Sequence, residues 1–100
     1  MSKLTVAQAI AAAAKGEITV IDVCEANELK ASGQAKGALH IPLALLPIKA
    51  DELAKTKPIA VYCAVGGRAG MAAQTLQRLG FEAHNIGGFG DWVSAGGPVA

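Results

Sequence analysis

The sequence predicts an α/β protein with a parallel sheet, and three observations carry that reading. Residues 18–23 form a short β-branched run that is nearly all apolar, and residues 59–63 form a second. Continuous runs of that length suit strands buried on both faces. Apolar residues recur at helical spacing before, between and after these runs, so strands and helices alternate along the chain. Alternation of that kind belongs to crossover connections in a parallel sheet.

The elements follow in order. Val6, Ala9, Ile10 and Ala13 mark an amphipathic helix over 6–15, closed by Gly16. Thr5 and Gln8 stand at the spacing of a capping box at its start. Gln8 also interrupts the apolar stretch 4–14 behind Lys3, which argues against reading it as a secretory leader. After the strand at 18–23, residues 25–31 form a short helix that stops before Gly33. Residues 37–42 are extended and closed by Pro42, and 43–54 are mixed, with Pro47 at a helix start or in a turn. Pro58 introduces the strand at 59–63. A helix over 69–79 carries the stripe Ala72, Leu76 and Leu79 and ends at Gly80. A third strand at 81–86, a turn at Gly87 and Gly88, and a short helix at 91–95 complete the chain. No repeat, linker or low-complexity tail interrupts residues 1–100, which read as one domain.

Composition narrows the function classes. Apolar residues make up 52% of the chain, but 21 of them are alanine, so the core rests on a modest set of Ile, Leu, Val and aromatic residues. That set is ample for a small globular domain and contrary to disorder. The formal net charge is +1 with no basic or acidic run, which gives no electrostatic case for nucleic acid or anionic lipid. No stretch reaches the roughly 18 apolar residues of a membrane span. Two cysteines do not make a disulfide framework, so a cytoplasmic protein with functional or buried thiols is expected.

The chemistry points to Cys63. In open α/β sheets ligands bind at the carboxyl ends of strands, and Cys63 ends such a strand. Gly66 and Gly67 let the following backbone turn tightly and aim several N–H groups at one point. The helix beyond adds its unpaired N–H groups and its positive dipole end. A thiolate or an anion is favoured there, and Arg68 brings a planar cation suited to an oxyanion. A cysteine at the end of a buried strand is more often an inert small hydrophobe, and the glycine pair with Arg68 is what shifts the balance. Only four residues separate Cys63 from Arg68, one fewer than in the loop of cysteine phosphatases, so the cup is smaller and suits an outer sulfur atom.

Residues 61–68, Val61-Tyr62-Cys63-Ala64-Val65-Gly66-Gly67-Arg68, resemble the active-site loop of rhodanese domains. Ile21-Asp22-Val23 with Glu25 and Glu28 is similar to the family's first motif, and residues 33–42 to its Gly-His-Ile-x-Gly-Ala-x-x-Ile-Pro segment. The end of the chain, from Gly87-Gly88-Phe89-Gly90-Asp91-Trp92 to Val99, resembles the closing glycine-tryptophan signature. The resemblance implies a small three-layer α/β domain with a mainly parallel sheet of four to five strands flanked by helices. It also implies a sulfurtransferase. The Cys63 thiolate would take the outer sulfur of a donor such as thiosulfate, and the N–H groups of Ala64, Val65, Gly66, Gly67 and Arg68 would hold the resulting persulfide. Arg68 would help hold the anionic donor, and a thiol or cyanide would accept the sulfur. The partners implied are small donor and acceptor molecules, with a sulfur-relay protein as a further candidate, and the cycle needs no cofactor or metal.

Two departures stand out. Cys24 occupies the place of a usual arginine, and Gln34-Ala35 replace His-Ile. Neighbouring parallel strands lie about 4.8 Å apart, so Cys24 is expected near Cys63, as a tuning residue rather than a required redox partner. His40 and His84 read as structural or surface residues, Asp91 and Trp92 as turn and packing residues. The glycine pair is not a nucleotide loop, because no lysine follows it. The alternatives are a non-catalytic rhodanese-like binding module, which generally lacks the cysteine, and a small cysteine phosphatase or arsenate reductase, which the short loop disfavours.

Overall fold

A computed structural model describes residues 4–100. Four strands form one parallel sheet: β1 (Thr19–Asp22), β2 (Leu39–His40), β3 (Ile59–Cys63) and β4 (Ala83–Gly88), in the order β2-β1-β3-β4. Five helices accompany them: α1 (Val6–Ala14), α2 (Ala26–Ser32), α3 (Leu46–Lys49), α4 (Gly67–Arg78) and α5 (Phe89–Ser94). Single 3-10 turns flank α3 on both sides, with Pro47 seated in the first turn of that helix. The mixed character of residues 43–54 thus resolves into three short helical pieces.

All five residues of β3 are buried, and their side chains alternate between two cores. Ile59, Val61 and Cys63 join Ile21 of β1 in the core covered by α4, α3 and Leu29 of α2. Ala60 and Tyr62 join Val20 of β1 in the core covered by α1 and α5. Helices therefore lie on both faces of the sheet in three layers. The apolar stripe of α4 is Ala69, Ala72, Ala73 and Leu76, and Leu79 falls at its exposed end. Thr5 caps α1 as the sequence predicts: its hydroxyl accepts from the Gln8 N–H at 3.1 Å and its own N–H donates to Gln8 Oε1 at 2.9 Å.

Several boundaries differ from the sequence reading by about two residues, the last helix starting at Phe89 rather than Asp91 among them, and two of the shifts are set by glycine. Helix α4 starts at Gly67 rather than Ala69, because Gly66 adopts φ 100° and turns the chain directly into the helix. Strand β4 runs to Gly88, through the expected turn. The register of β3 and β4 slips there: Val61 pairs with Asn85, but Cys63 pairs with Gly88. At Gly88 a Cβ would collide with the carbonyl of Ala64. A missing side chain thus lets β4 pass against the residue that follows Cys63.

The far face is tied together by aromatic rings. Tyr62 stacks between Phe89, at 5.9 Å between centroids, and Trp92, at 6.3 Å. Trp92 Nε1 donates to Pro98 O at 2.8 Å, and the same carbonyl accepts from Lys36 N–H at 2.9 Å. Val99 forms an antiparallel bridge with Ala35. The buried Ala35 N–H donates to the Tyr62 hydroxyl at 2.9 Å. Tyr62→Phe strands that N–H, at a cost of about 1–3 kcal/mol. Urea unfolding is expected to show the loss, and a change below about 0.5 kcal/mol would mean that the N–H has found another partner.

Candidate active site

The site is built where β3 ends. Cys63 has no exposed surface, whereas Ala64 and Val65 turn outward, Val65 with 89% of its surface free. The Gly66 N–H returns to the thiol and donates to Cys63 Sγ at 2.9 Å. The left-handed conformation of Gly66 makes that return possible, and α4 starts one residue later. The sulfur therefore sits under the positive end of a twelve-residue helix. Asn85 braces the turn from β4: its Nδ2 donates to Gly66 O at 3.1 Å, while its Oδ1 accepts from Gly87 N–H at 2.8 Å. Asp91 accepts from the Gly88 N–H at 2.8 Å, closing the other side of the same crossing.

Arg68 lies in the first turn of α4, and its guanidinium grips Glu28 of α2 as a fork. Nη1 donates to Oε1 at 2.6 Å and Nη2 to Oε2 at 2.8 Å. Glu28 Oε1 also accepts from the Glu25 N–H at 2.9 Å, so one carboxylate caps α2 and anchors α4. The Arg68 guanidinium, then the Glu25 N–H, hold the Glu28 carboxyl down at about 2. The fork that the sequence offers to an oxyanion is thus occupied by a residue of the protein itself.

Cys24 lies just beyond β1 and is buried in the same core as Cys63, with both thiols free. Its N–H donates to Asp22 Oδ1 at 2.8 Å, and its carbonyl accepts from His40 Nε2 at 2.7 Å. His40 therefore holds the backbone at Cys24, in keeping with a structural role. His84 contacts the exposed Glu82 on the protein's surface. Burial, followed by hydrogen bonding to Asp22, pushes the Cys24 thiol up to about 12. It is a protonated, weak nucleophile at neutral pH. A cavity of about 350 Å³ opens beside it, walled by Leu29 and Ala31 of α2, Phe89 of α5 and Ala64 of the loop.

Sequence reasoning brings Cys63, Ala64, Val65, Gly66, Gly67 and Arg68 to one turn, and they share it here. It missed Asn85 as a brace and Glu28 as the partner of Arg68. Glu28 carried a signal in its position three residues after Glu25, the spacing of a helix cap, but Asn85 carried none.

The profile of the Rhodanese-like domain matches residues 5–95, and the chain belongs to that family. It is 43% identical over 75 residues to the uncharacterised protein YqhL of Bacillus subtilis, covering 73% of this chain and 59% of that one. A sulfurtransferase of Allochromatium vinosum is 29% identical over 85 residues, covering 83% of this chain and 78% of the relative. The chain thus spans about three-fifths of the first relative's length and more of the second. The crystal structure of a rhodanese-related protein from Thermoplasma volcanium superposes with a TM-score of 0.85 at 31% identity, over 100% of this chain and 98% of that chain.

Two expectations follow from the geometry. A carboxyl held below its ordinary 4.5 stabilises the fold above that pH, and the stability is lost as the pH falls toward 2. The difference in urea midpoint between wild type and Glu28→Gln should therefore hold steady from neutral pH to about pH 5 and close below it. The pair is one-third exposed, so added salt should shrink the difference. A difference that grows in acid reverses the sign and removes the assignment. For Cys24, intact mass after mild peroxide should show no loss of two hydrogens in wild type, because a protonated thiol does not capture oxidised Cys63. Such a loss, absent in Cys24→Ala, would make the two cysteines redox partners.

Proposed function

We propose that this protein is a sulfurtransferase that carries sulfur as a persulfide on Cys63. The observation that carries the reading is the Gly66 N–H on Cys63 Sγ at 2.9 Å, under the N-terminus of α4. Backbone dipoles fixed around a sulfur atom stabilise negative charge on it before and after the outer sulfur arrives. The thiolate attacks the outer sulfur of a donor of the thiosulfate type, and sulfite leaves with the electron pair of the broken bond. The N–H groups of Ala64, Val65, Gly66, Gly67 and Arg68 then face the persulfide. A thiol or cyanide takes the outer sulfur and restores the Cys63 thiolate, so the cycle is a double displacement without cofactor or metal.

Burial of Cys63 sets a condition on this cycle: the outward turn at Ala64 and Val65 must shift for a donor to reach the sulfur. Arg68 keeps α4 in place through Glu28, and the two charges largely cancel where they meet. It grips a donor oxyanion directly only if one terminal nitrogen leaves Glu28. The relative named as a sulfurtransferase supports the same chemistry. Two free thiols suit a reducing compartment, and a cytoplasmic location with a sulfur-relay partner belongs to the proposal. The four-residue spacing from Cys63 to Arg68 favours sulfur over phosphate, and the intact nucleophile favours catalysis over a purely binding role.

Cys63→Ser decides the matter. A serine hydroxyl cannot hold a sulfane sulfur, and its size suits the same pocket. Thiosulfate-treated wild type should be heavier by one sulfur atom, removable by cyanide, and the variant should show neither the added mass nor turnover while keeping its circular dichroism. Turnover like that of wild type in the variant would end the mechanism.

A further inference from the structure

We propose that the cavity beside the Cys63 loop receives the sulfur acceptor and selects an uncharged thiol with a short apolar arm over a thiol that carries a carboxylate. The inference rests on the sulfur-transfer reading and names the acceptor class for it. The cavity of about 350 Å³ shares Ala64 with the loop, so an acceptor seated there has its thiol beside the turn that covers Cys63. That volume lies at the lower end of small-molecule sites, about 300–1,000 Å³. Leu29, Ala31 and Phe89 supply apolar walls, and an aliphatic arm would remove its own surface and theirs from water together.

Charge sets the selectivity. None of the lining residues is a lysine or an arginine, and the acidic ones are Asp22 and Glu28. Arg68, the cation of the loop, has both terminal nitrogens on Glu28 at 2.6 and 2.8 Å, so their charges cancel locally. An incoming carboxylate would lose water and meet carboxyl groups without a free cation to answer it. Cys24 adds a neutral thiol to the wall. Burial pushes that thiol up to about 12, so at neutral pH it adds no charge of its own.

The transfer balances without an added oxidant. The acceptor sulfur attacks the outer sulfur of the Cys63 persulfide, and a new S–S bond forms as the bond to Sγ breaks. The electron pair stays on Sγ, so RSH and Cys63–S–SH give RSSH and Cys63–SH.

The test loads the full chain with thiosulfate and compares three acceptors: cyanide, which needs no pocket for an arm, isoamyl mercaptan, and its near-isostere β-mercaptopropionate. With rates corrected for thiolate fraction, kcat/KM for isoamyl mercaptan should exceed that for β-mercaptopropionate by about tenfold or more, the scale of one unanswered charge. Ala31→Lys, a change at an exposed helical position on the cavity wall, should shift the ratio toward β-mercaptopropionate by a similar factor. Equal or better use of the carboxylate thiol by wild type, or a ratio that ignores Ala31→Lys, overturns the cavity assignment, while turnover with cyanide leaves sulfur transfer standing. Absence of cyanide turnover removes the sulfur-transfer reading and this inference together.

Discussion

Five consecutive residues of β3 are buried, and a strand covered on both faces must send alternate side chains into two separate cores. Tyr62 goes to the side of α1 and α5, where it gathers Phe89, Trp92 and the Ala35 backbone. Cys63 goes to the side of α4, so the sulfur meets the helix that its own strand leads into. Parity along one strand therefore decides that the thiol faces a helix N-terminus. A slip of one residue would exchange the two side chains and leave a tyrosine under the helix dipole.

That placement must be held against two movable neighbours, the turn at 64–66 and the first turn of α4. Each is fixed by a residue remote in sequence. Asn85 ties Gly66 to β4, and Glu28 ties Arg68 to α2. The slip in pairing between β3 and β4 brings Gly88 opposite Cys63, and only a residue without a side chain passes the Ala64 carbonyl there. The glycines near the end of the chain thus belong to the site as much as those in the loop. Loosening the crossing would release the N–H that rests on the sulfur.

Much of the fold was legible in the sequence because burial leaves a plain imprint. The runs at 18–23 and 59–63 betray strands covered on both faces, Thr5 with Gln8 betrays a cap, and Gly16 and Gly80 betray helix ends. Boundaries at 66–69 and 83–88 were less legible because glycine serves turns, helix starts and strand crossings alike. Its role depends on what lies opposite, which local sequence does not contain. The turn that joins Cys63 to Arg68 was legible, since a strand end, two glycines and an arginine are contiguous. The partner of Arg68 was not, because Glu28 lies forty residues away. An arginine near a reactive cysteine reads as a free cation until the structure supplies the carboxylate it already holds.

The pairing of Arg68 with Glu28 leaves the site dependent on dipoles more than on net charge. A free guanidinium would draw anions from solution and hold them, whether or not they carry a transferable sulfur. Backbone N–H groups act only at close range and lose effect within a turn of the helix end. The one that rests on Cys63 Sγ, from Gly66, is already in place and would need no reorganisation if charge appeared there. With a formal net charge of +1 spread over 100 residues, the molecule adds little steering of its own. Under the proposed sulfur transfer, discrimination would fall to the shape of the cavity beside Ala64 and to its apolar and acidic lining, rather than to long-range attraction.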